Sequence, residues 1–231
     1  MTAFYDFDIA PNEEIINTLE DFNYNGACIF YDSDEYNEKI KSSFLELNDS
    51  TNLNLYHGIR INETNPQILS KKIQKYYQKV DLIMVNGTNT KINRVACESP
   101  KIDILNHPYL NQNNSGINHV LAKLINENNI TVSIDLNSIL HHRGYYKSKI
   151  LSQINQLLML KRKYNFKTII TTGSTTFYDV RSPEEILLLS KLMDMNEEEA
   201  KKNISDNVTD IIENITIRKQ SIVDGVRIIK N

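Results

Sequence analysis

Short apolar runs alternate with segments of helical periodicity along the chain. The strand-like runs cover residues 3–9, 26–31, 53–61, 81–85, 101–105, 130–136 and 167–172. Each run is followed by apolar positions at three- and four-residue spacing, as in "NPQILSKKIQKYY". Repeated strand-helix units form parallel sheets, because each helix returns the chain to the starting edge of the sheet. The pattern predicts an α/β barrel of the TIM type, with about seven parallel strands surrounded by helices.

No segment rich in glycine, proline or serine divides the chain. We therefore expect residues 1–231 to form one domain, with 216–231 as a loosely attached tail. The first ten residues carry two aspartates where a signal peptide carries lysine or arginine, and no run of about 18 apolar residues occurs. These features predict a cytoplasmic protein without a membrane contact. Cys28 and Cys97 lie beside apolar neighbours, which predicts buried free thiols.

Charge is distributed unevenly along a chain whose net charge is only −3. Residues 1–50 hold 12 acidic and 2 basic residues. Residues 136–178 hold no acidic residue, where about five are expected from average composition. The same segment holds seven basic residues: Arg143, Lys147, Lys149, Lys161, Arg162, Lys163 and Lys167. Two interpretations are open, a solvated lysine-rich helix face or a surface that binds a phosphate backbone.

Chemistry in parallel barrels is located at the carboxyl ends of the strands. Polar residues at or near these ends are Asp6, Asp8, His57, Asn86, His107, Asp135 and Ser174. However, H-x-H and H-E-x-x-H motifs are absent, and the adjacent His141 and His142 point apart. We expect no metal site and no catalytic residue, since G-x-S-x-G and phosphate-loop motifs are also missing. For Asp6 and Asp8 the favoured interpretation is turn and cap chemistry at a strand end.

The stretch "SGINHVLAKL" at 115–124 predicts a helix that begins with Ser115 as its N-cap. Its apolar stripe comprises Ile117, Val120, Leu121 and Leu124. His119 and Lys123 lie one turn apart and off this stripe. They are therefore candidates for an exposed binding face.

A second helix start is predicted in "RSPEEILLLSKL". Ser182 as N-cap, Pro183 in the first turn and Glu185 three residues after the cap make a capping box. Arg181 is not explained by capping, because the helix dipole disfavours a cation at this end. We expect an anion to set its position.

Five segments, in this order and spacing, resemble the thirty-kilodalton protein subunit family of archaeal and eukaryotic ribonuclease P, called ribonuclease P protein component 3 in archaea. They are "KINRVACESPKIDILNHP", "SGINHVLAKL", "HHRGYYKSKIL", "LKRKYNFKTIITTGS" and "DVRSPEEILLLSKLMDM". The resemblance implies a barrel related to the polymerase and histidinol phosphatase family. It also implies a subunit of the ribonucleoprotein that removes the 5′ leader from precursor tRNA, in which the RNA is the catalyst.

The resemblance further implies several partners. These are ribonuclease P RNA, a small RRM-like subunit arranged with this chain as a dimer of heterodimers, and other ribonuclease P proteins. The protein is expected to bind no cofactor, while Mg²⁺ belongs to the RNA. Metal-dependent relatives of the barrel carry H-x-H where this chain has Asp6, Phe7 and Asp8. Asn86 stands where a histidine is expected, and His107 remains, which leaves residual metal binding near Asp6, Asp8 and His107 open.

The resemblance and the basic segments together predict the RNA-binding residues Arg94, His119, Lys123, Arg143, Lys147, Lys161, Arg162, Lys163 and Arg181. Simpler interpretations stay open for some of them. His119 fits a surface histidine, Arg94 an ion pair with Glu98 one turn away, and residues 161–163 a helix end stabilised by its dipole. Two alternative functions also remain: an autonomous metal-dependent phosphoesterase and a barrel that binds only proteins.

Overall fold

The fold is a parallel barrel, seen in a computed structural model that describes residues 2–223 and 226–227. Seven parallel strands pair in chain order. Their bounds are β1 Tyr5–Ile9, β2 Gly26–Asp32, β3 Asn54–Ile61, β4 Leu82–Asn86, β5 Ile104–Asn106, β6 Thr131–Asp135 and β7 Lys167–Thr171. The predicted number, direction and order of the strands are confirmed.

Helices follow the strands and cover the outside of the sheet. Their bounds are α1 Glu13–Asp21, α2 Glu38–Asp49, α3 Pro66–Tyr76, α4 Thr90–Glu98, α5 His119–Glu127, α6 Leu136–Leu140, α7 Gly144–Tyr164, α8 Pro183–Ser190, α9 Glu197–Ile204 and α10 Asp206–Gln220. Short 3₁₀ turns cover Phe177–Asp179 and Lys191–Met193, and a small antiparallel pair comprises β8 Ser221–Val223 and β9 Val226–Arg227.

Asparagine side chains begin many of these helices. In six of them the side-chain oxygen of the N-cap accepts a hydrogen bond from a backbone N–H of the first turn; the caps are Asn12, Asn37, Asn65, Asn89, Asn118 and Asn196. Such caps satisfy N–H groups that have no partner within the helix. The abundant asparagine of this sequence therefore has a structural use.

The barrel closes between β1 and β7 with few backbone hydrogen bonds. Ile9 bridges to Ser174, and the Ala10 N–H donates to the Ser174 carbonyl at 2.8 Å. Further along the seam, the Asp6 carboxylate accepts the Thr172 N–H at 3.1 Å. A side chain thus takes the place of a ladder hydrogen bond, and the barrel is nearly closed.

Helix α10 covers the amino-terminal end of the barrel. Its buried side chains Val208, Ile211 and Ile215 pack on an inner cluster that includes Phe7 and Met84. Charged residues near its end bind the loops below β4 and β5. Arg218 donates to Asp103 at 2.9 Å, and Lys219 pairs with Asp81 at 2.5 Å.

The expected loose tail begins at residue 216, but residues 216–220 belong to α10 and are held to the barrel by Arg218. Residues 224, 225 and 228–231 of that tail lie outside the described residues. Cys28 and Cys97 are buried free thiols, as predicted. Within residues 2–223 and 226–227, the helices are too short or too polar to cross a membrane.

Candidate nucleic-acid interface and barrel mouth

The carboxyl ends of the strands form a polar mouth inside the barrel. An ion pair across this mouth joins Asp8 of β1 to Arg60 of β3. The Asn106 amide of β5 donates to Asp8 at 3.5 Å and to Asn86 of β4 at 3.1 Å. Burial raises the pKa of Asp8, and the Arg60 guanidinium opposes this rise. We call Asp8, Arg60, Asn86 and Asn106 the mouth cluster.

Asp6 belongs to the seam between β1 and β7, not to the mouth cluster. Its carboxylate accepts the N–H and the hydroxyl of Thr172, whose oxygen lies 2.5 Å from the Ser174 hydroxyl. Burial raises the pKa of Asp6 to about 7, although the hydrogen bonds from Thr172 oppose the rise. The expectation of turn and cap chemistry for Asp6 and Asp8 is therefore wrong. The Asp6 carboxylate joins β1 to the end of β7, and the Asp8 carboxylate neutralises the Arg60 guanidinium.

Asp135 at the end of β6 caps the short helix α6. It accepts the Asn137 N–H at 2.8 Å and the Ser138 N–H at 3.2 Å. Burial and the nearby charge of Asp8 raise the pKa of Asp135 to about 7, although these two hydrogen bonds oppose the rise. Gly173 approaches so closely that a Cβ there would lie 2.3 Å from Asp135 Oδ1, and its φ is +64°. A side chain at position 173 is excluded by this contact.

The histidines of the predicted strand ends do not converge on one point. His57 lies against α2, where its ring stacks on Phe44 with centroids 4.6 Å apart. His107 has a φ of 34°, and burial lowers its pKa to about 4. In the part of the chain that the structure describes, three or more histidine, cysteine or acidic side chains nowhere gather around one cation position. With Arg60 beside Asp8, this donor set does not fit a divalent metal.

Arg60 is not among the predicted site residues. Its sequence signal is a charged residue between the apolar Ile59 and Ile61 of a buried strand. A buried charge requires a partner, so this signal points to a carboxylate nearby. It does not say which carboxylate, because Asp8 lies more than fifty residues earlier in the chain.

Helix α5 begins three residues later than predicted. Its N-cap is Asn118, which accepts the N–H groups of Val120 and Leu121 at 3.0 Å. Ser115 instead donates to the Ile117 carbonyl at 2.8 Å, because the following Gly116 adopts a left-handed φ of +70°. The prediction of Ser115 as N-cap is wrong. Val120 is 49% exposed, so its assignment to the buried stripe is wrong as well.

The predicted RNA-binding residues His119, Lys123 and Arg94 lie on the exposed sides of neighbouring helices. Helix α5 packs between α4 and α7. Arg94 donates to Glu98 at 2.8 Å, which is the ion pair that the sequence left open. Within the described residues, the His119 and Lys123 side chains have no hydrogen-bond or ion-pair partner.

The two ends of α7 differ in how their cations are neutralised. At the carboxyl end, Lys161 and Arg162 share Glu199 of α9 at 2.8 and 2.7 Å. Burial opposes ionisation of Glu199, but the hydrogen bonds from these two cations hold its pKa below the usual value. At the amino end, the Arg143 and Lys147 side chains have no acidic partner in the described chain.

Lys163 and Arg181 complete the predicted set. Lys163 lies over the Tyr164 ring at 5.5 Å. The Arg181 guanidinium donates to the carbonyl oxygens of Tyr178 and Val180, both at 2.7 Å. Backbone carbonyls thus hold Nη1 of Arg181 within the chain, and its assignment as an anion contact stays a prediction. The capping box of Ser182 and Glu185 is confirmed, with Pro183 in the first turn.

Comparison with solved structures shows the same fold in distant enzymes. The histidinol phosphate phosphatase from Lactococcus lactis, solved with zinc, L-histidinol and phosphate, superposes with a TM-score of 0.54 at 11% identity, over 83% of this chain and 92% of that one. At this identity the likeness concerns the fold alone. A chain of the cryo-EM structure of archaeal ribonuclease P with mature tRNA superposes with a TM-score of 0.87 at 27% identity, over 98% of both chains.

Sequence relatives point the same way. Ribonuclease P protein component 3 from Methanothermobacter thermautotrophicus is 30% identical over 99% of this chain and 96% of its own length. The Methanosarcina barkeri protein of the same name is 33% identical over 87% of this chain and 85% of its own length. Residues 3–220 match the family described as RNase P subunit p30. The chain therefore belongs to the RNase P subunit p30 family.

Proposed function

We propose that this chain is a noncatalytic protein subunit of ribonuclease P, the ribonucleoprotein endonuclease that removes the 5′ leader from precursor tRNA. The observation that carries the proposal is the superposition, over 98% of both chains, on a chain of archaeal ribonuclease P. In this role the protein binds and supports the catalytic RNA. The phosphodiester chemistry belongs to the RNA and to the Mg²⁺ ions bound there, and the protein supplies no cofactor of its own.

The cations without internal partners are the best placed to neutralise phosphates. Lys123 of α5, Arg143 at the N-cap of α7 and Lys147 of α7 form this group, and His119 of α5 adds a hydrogen-bonding side chain without a partner. A cation already paired with a carboxylate must give up that partner before it binds a phosphate, whereas these residues need not. They therefore form the main part of the proposed RNA surface.

The other predicted RNA contacts are also part of the proposal, but we expect each to contribute less to RNA affinity. Arg94, Lys161 and Arg162 have carboxylate partners, Arg181 binds backbone carbonyls, and Lys163 lies over a tyrosine ring. The Arg94–Glu98 ion pair is exposed and exchanges readily, so a phosphate of the RNA is able to replace Glu98. Glu199 is largely buried and holds Lys161 and Arg162 more firmly. The expected contribution of each to RNA affinity is smaller than that of an unpaired cation.

The assembly around the protein follows from the family. We expect the small RRM-like subunit as the direct partner, two such heterodimers in one particle, and further ribonuclease P proteins beside them, in the cytoplasm. The acidic residues 1–50 are expected to face a protein and not the RNA, because carboxylates repel phosphates. Chemical cross-links from this segment to the RNA are the observation that contradicts this orientation.

The test is reconstitution with ribonuclease P RNA transcribed from the gene of the same organism. The protein alone should bind this RNA with an affinity that falls linearly with salt on a logarithmic scale. Together with the RNA and the other subunits, it should increase cleavage of the 5′ leader of a precursor tRNA. Purified protein that carries tightly bound transition metal and hydrolyses phosphate esters without RNA would instead establish the phosphoesterase. The mouth cluster gives that alternative no support, because Arg60 neutralises Asp8.

A further inference from the structure

Four exposed aromatic side chains lie in two pairs at the carboxyl end of the barrel. Tyr145 and Tyr146 begin α7 after β6, and Phe177 and Tyr178 lie in the 3₁₀ turn after β7. The ring centroids are 5.8 Å apart in the first pair and 3.9 Å apart in the second. We call these four residues the aromatic pairs.

Three of the four aromatic side chains are highly exposed. The exposed fraction is 76% for Tyr145, 75% for Tyr178 and 66% for Tyr146, and Phe177 is 37% exposed. Among the other large hydrophobic side chains of the described residues, Met159 at 69% and Leu188 at 62% are similarly exposed. An aromatic ring in water forgoes the free energy of burial, and clusters of such rings mark interaction sites. The aromatic pairs therefore have the character of a binding surface.

Side-chain contacts hold the two pairs on one face of the molecule. His141, just before α7, places Nε2 within 3.2 Å of Asp179 Oδ1 in the 3₁₀ turn. Deeper in the same connection, the Asn137 amide donates to the Gly173 carbonyl at 3.0 Å. These two contacts join the segment after β6 to the segment after β7. The aromatic pairs lie directly beyond the joined segments.

Positive charge accompanies the aromatic pairs. No acidic residue occurs between positions 136 and 178, and Arg143 and Lys147 flank the first pair. The nearest following carboxylate, Asp179, accepts hydrogen bonds from Thr175, Thr176 and His141. Desolvation opposes its ionisation, but these hydrogen bonds lower the pKa of Asp179 to about 2. Asp179 therefore carries a negative charge, but its oxygens are occupied by internal donors, and Arg143 and Lys147 supply the positive charge that complements a polyanion.

We infer that the aromatic pairs stack unpaired nucleobases of the RNA, while Arg143 and Lys147 neutralise the phosphates of the same strand. Every base offers an aromatic face, so this mode requires no particular sequence. The exposed residues that flank the first pair in the chain, His141, His142 and Ser148 among them, are polar and limit the apolar area around it. That composition suits a nucleic acid better than an apolar protein surface. The inference rests on the proposed function and adds that the RNA is unpaired at this contact.

A fluorescence experiment tests the inference directly. The chain contains no tryptophan, so a Tyr145→Trp variant has a single indole fluorophore. Stacking should quench its emission on addition of a single-stranded oligouridylate of about ten nucleotides. A fully paired RNA of the same length should quench much less, because its bases are not available for stacking. Equal quenching by the paired and unpaired RNAs overturns the inference.

Met159 provides a matched control on the same helix. It is similarly exposed, at 69%, but lies away from the aromatic pairs, toward the carboxyl end of α7. A Met159→Trp variant should show little change with either RNA. Equal quenching of both reporters by oligouridylate indicates nonspecific association and also overturns the inference.

Affinity measurements provide a second test. The Tyr145→Ala/Tyr146→Ala variant should bind the oligouridylate roughly tenfold more weakly for each lost stacked base, at an unchanged dependence on salt. The Tyr145→Phe/Tyr146→Phe variant keeps both rings and should bind like the wild-type protein. An affinity of the alanine variant equal to that of the wild-type protein contradicts the stacking contact.

The outcomes separate this inference from the proposed function. If the wild-type protein binds ribonuclease P RNA and the alanine variant binds each RNA as tightly as the wild-type protein does, only the stacking contact is wrong. If the alanine variant binds RNA normally but no longer assembles with the other subunits, the surface belongs to a protein partner, which also overturns the inference. Failure of the wild-type protein to bind ribonuclease P RNA with or without the other subunits contradicts the proposed function itself.

Discussion

The barrel mouth and the amino end of α7 lie at the same end of the molecule, yet they hold charge in opposite ways. In the mouth, Asp8 is nearly inaccessible to solvent and is neutralised by Arg60. At the amino end of α7, Arg143 is exposed and has no acidic partner in the described residues, and Lys147 follows one turn later. Both regions therefore contain cations at a position where parallel barrels commonly have their chemistry.

We therefore expect charges in the barrel mouth to affect stability and charges at the amino end of α7 to affect RNA binding. A buried charge loses its hydration. When its partner is removed, the remaining charge is buried without compensation, and the free energy of unfolding of the protein falls. An exposed charge contributes little to stability but is free to attract a phosphate. The four predictions below compare the two regions, from the largest expected effect to the smallest.

The largest effect of a substitution at a single pH is expected for Arg60→Met, which leaves the Asp8 carboxylate buried without its cation. The free energy of unfolding should fall by about 3 kcal/mol, near the lower end of the range for breaking a buried ion pair. We choose the lower end because the Arg60 side chain is 32% exposed. Chemical denaturation measures the change, and the salt dependence of RNA binding should stay as in the wild-type protein.

The Asp8→Asn/Arg60→Met double variant is the control for this prediction. It removes both charges and should recover most of the lost stability, since neither partner is left unpaired. A double variant as unstable as the single one would show that Arg60 acts through packing and not through Asp8.

The second prediction concerns pH. The pKa of Asp6 is about 7 in the folded protein and near the ordinary value of 3.8 when unfolded. Between these values the unfolded chain has lost a proton that the folded protein retains. The contribution of Asp6 to stability therefore falls as the pH rises from about 4 to about 7, by at most about 1.4 kcal/mol per pH unit. Thermal unfolding at several pH values measures it.

Two variants sharpen the pH prediction. Asp6→Asn keeps the contact with Thr172 and should flatten the profile between pH 4 and 7. Asp179→Asn removes a carboxylate whose pKa is lowered to about 2, so it should cost stability evenly above pH 5 without changing the slope. A slope that persists in Asp6→Asn assigns the titration to another group, with Asp135 the first candidate because its pKa is also about 7.

The third prediction compares the two ends of α7 directly. Arg143→Ala/Lys147→Ala should change stability by under about 0.5 kcal/mol per residue, but should lower the slope of log affinity against log salt by about 1.4 to 1.8. Lys161→Ala/Arg162→Ala removes the same charge from the same helix and leaves Glu199 without its cations. It should lower the melting temperature and change the slope less.

RNA titration at several salt concentrations and thermal unfolding, both on each double variant, provide the measurement. Equal decreases in slope would mean that the Glu199 ion pairs exchange for phosphates without penalty. The distinction between paired and unpaired cations would then be wrong, and the predicted contacts of Lys161 and Arg162 would gain support.

The smallest effect is expected for Arg94→Ala. Its ion pair with Glu98 is exposed and one turn apart, so the free energy of unfolding should fall only slightly, less than for any of the variants above. The Glu98→Gln variant breaks the same ion pair and retains the cation. A salt slope that falls in Arg94→Ala and not in Glu98→Gln would identify Arg94 as an RNA contact.

The sequence predicts the fold well because the barrel follows from local patterns. Apolar runs and helical spacing recur about seven times, and the observed strands fall within or close to the predicted runs. The start of α5 is the counterexample. Ser115 is a good N-cap by residue type, but Asn93 binds the Gly116 carbonyl at 2.9 Å and holds this segment in a loop. That contact joins residues far apart in the chain, so no local pattern reveals it.

The candidate site is predictable to a smaller extent. The basic residues are visible in the sequence, but their neutralisation is not, because Glu199 lies 38 residues after Lys161. The same holds for Asp8, whose partner Arg60 comes from another strand. Composition indicates where cations are abundant, and only tertiary contacts decide which of them are available. The aromatic pairs are similar, since exposure cannot be read from residue type.

The helix that covers the amino-terminal end of the barrel has a consequence for biosynthesis. Residues 206–220 follow the seven strands of the barrel in the chain, so the ribosome makes this cover after the barrel strands. Until it emerges from the exit tunnel, the inner cluster around Phe7 and Met84 has no lid and is open to water. Cotranslational folding can therefore assemble the strands but cannot complete the core.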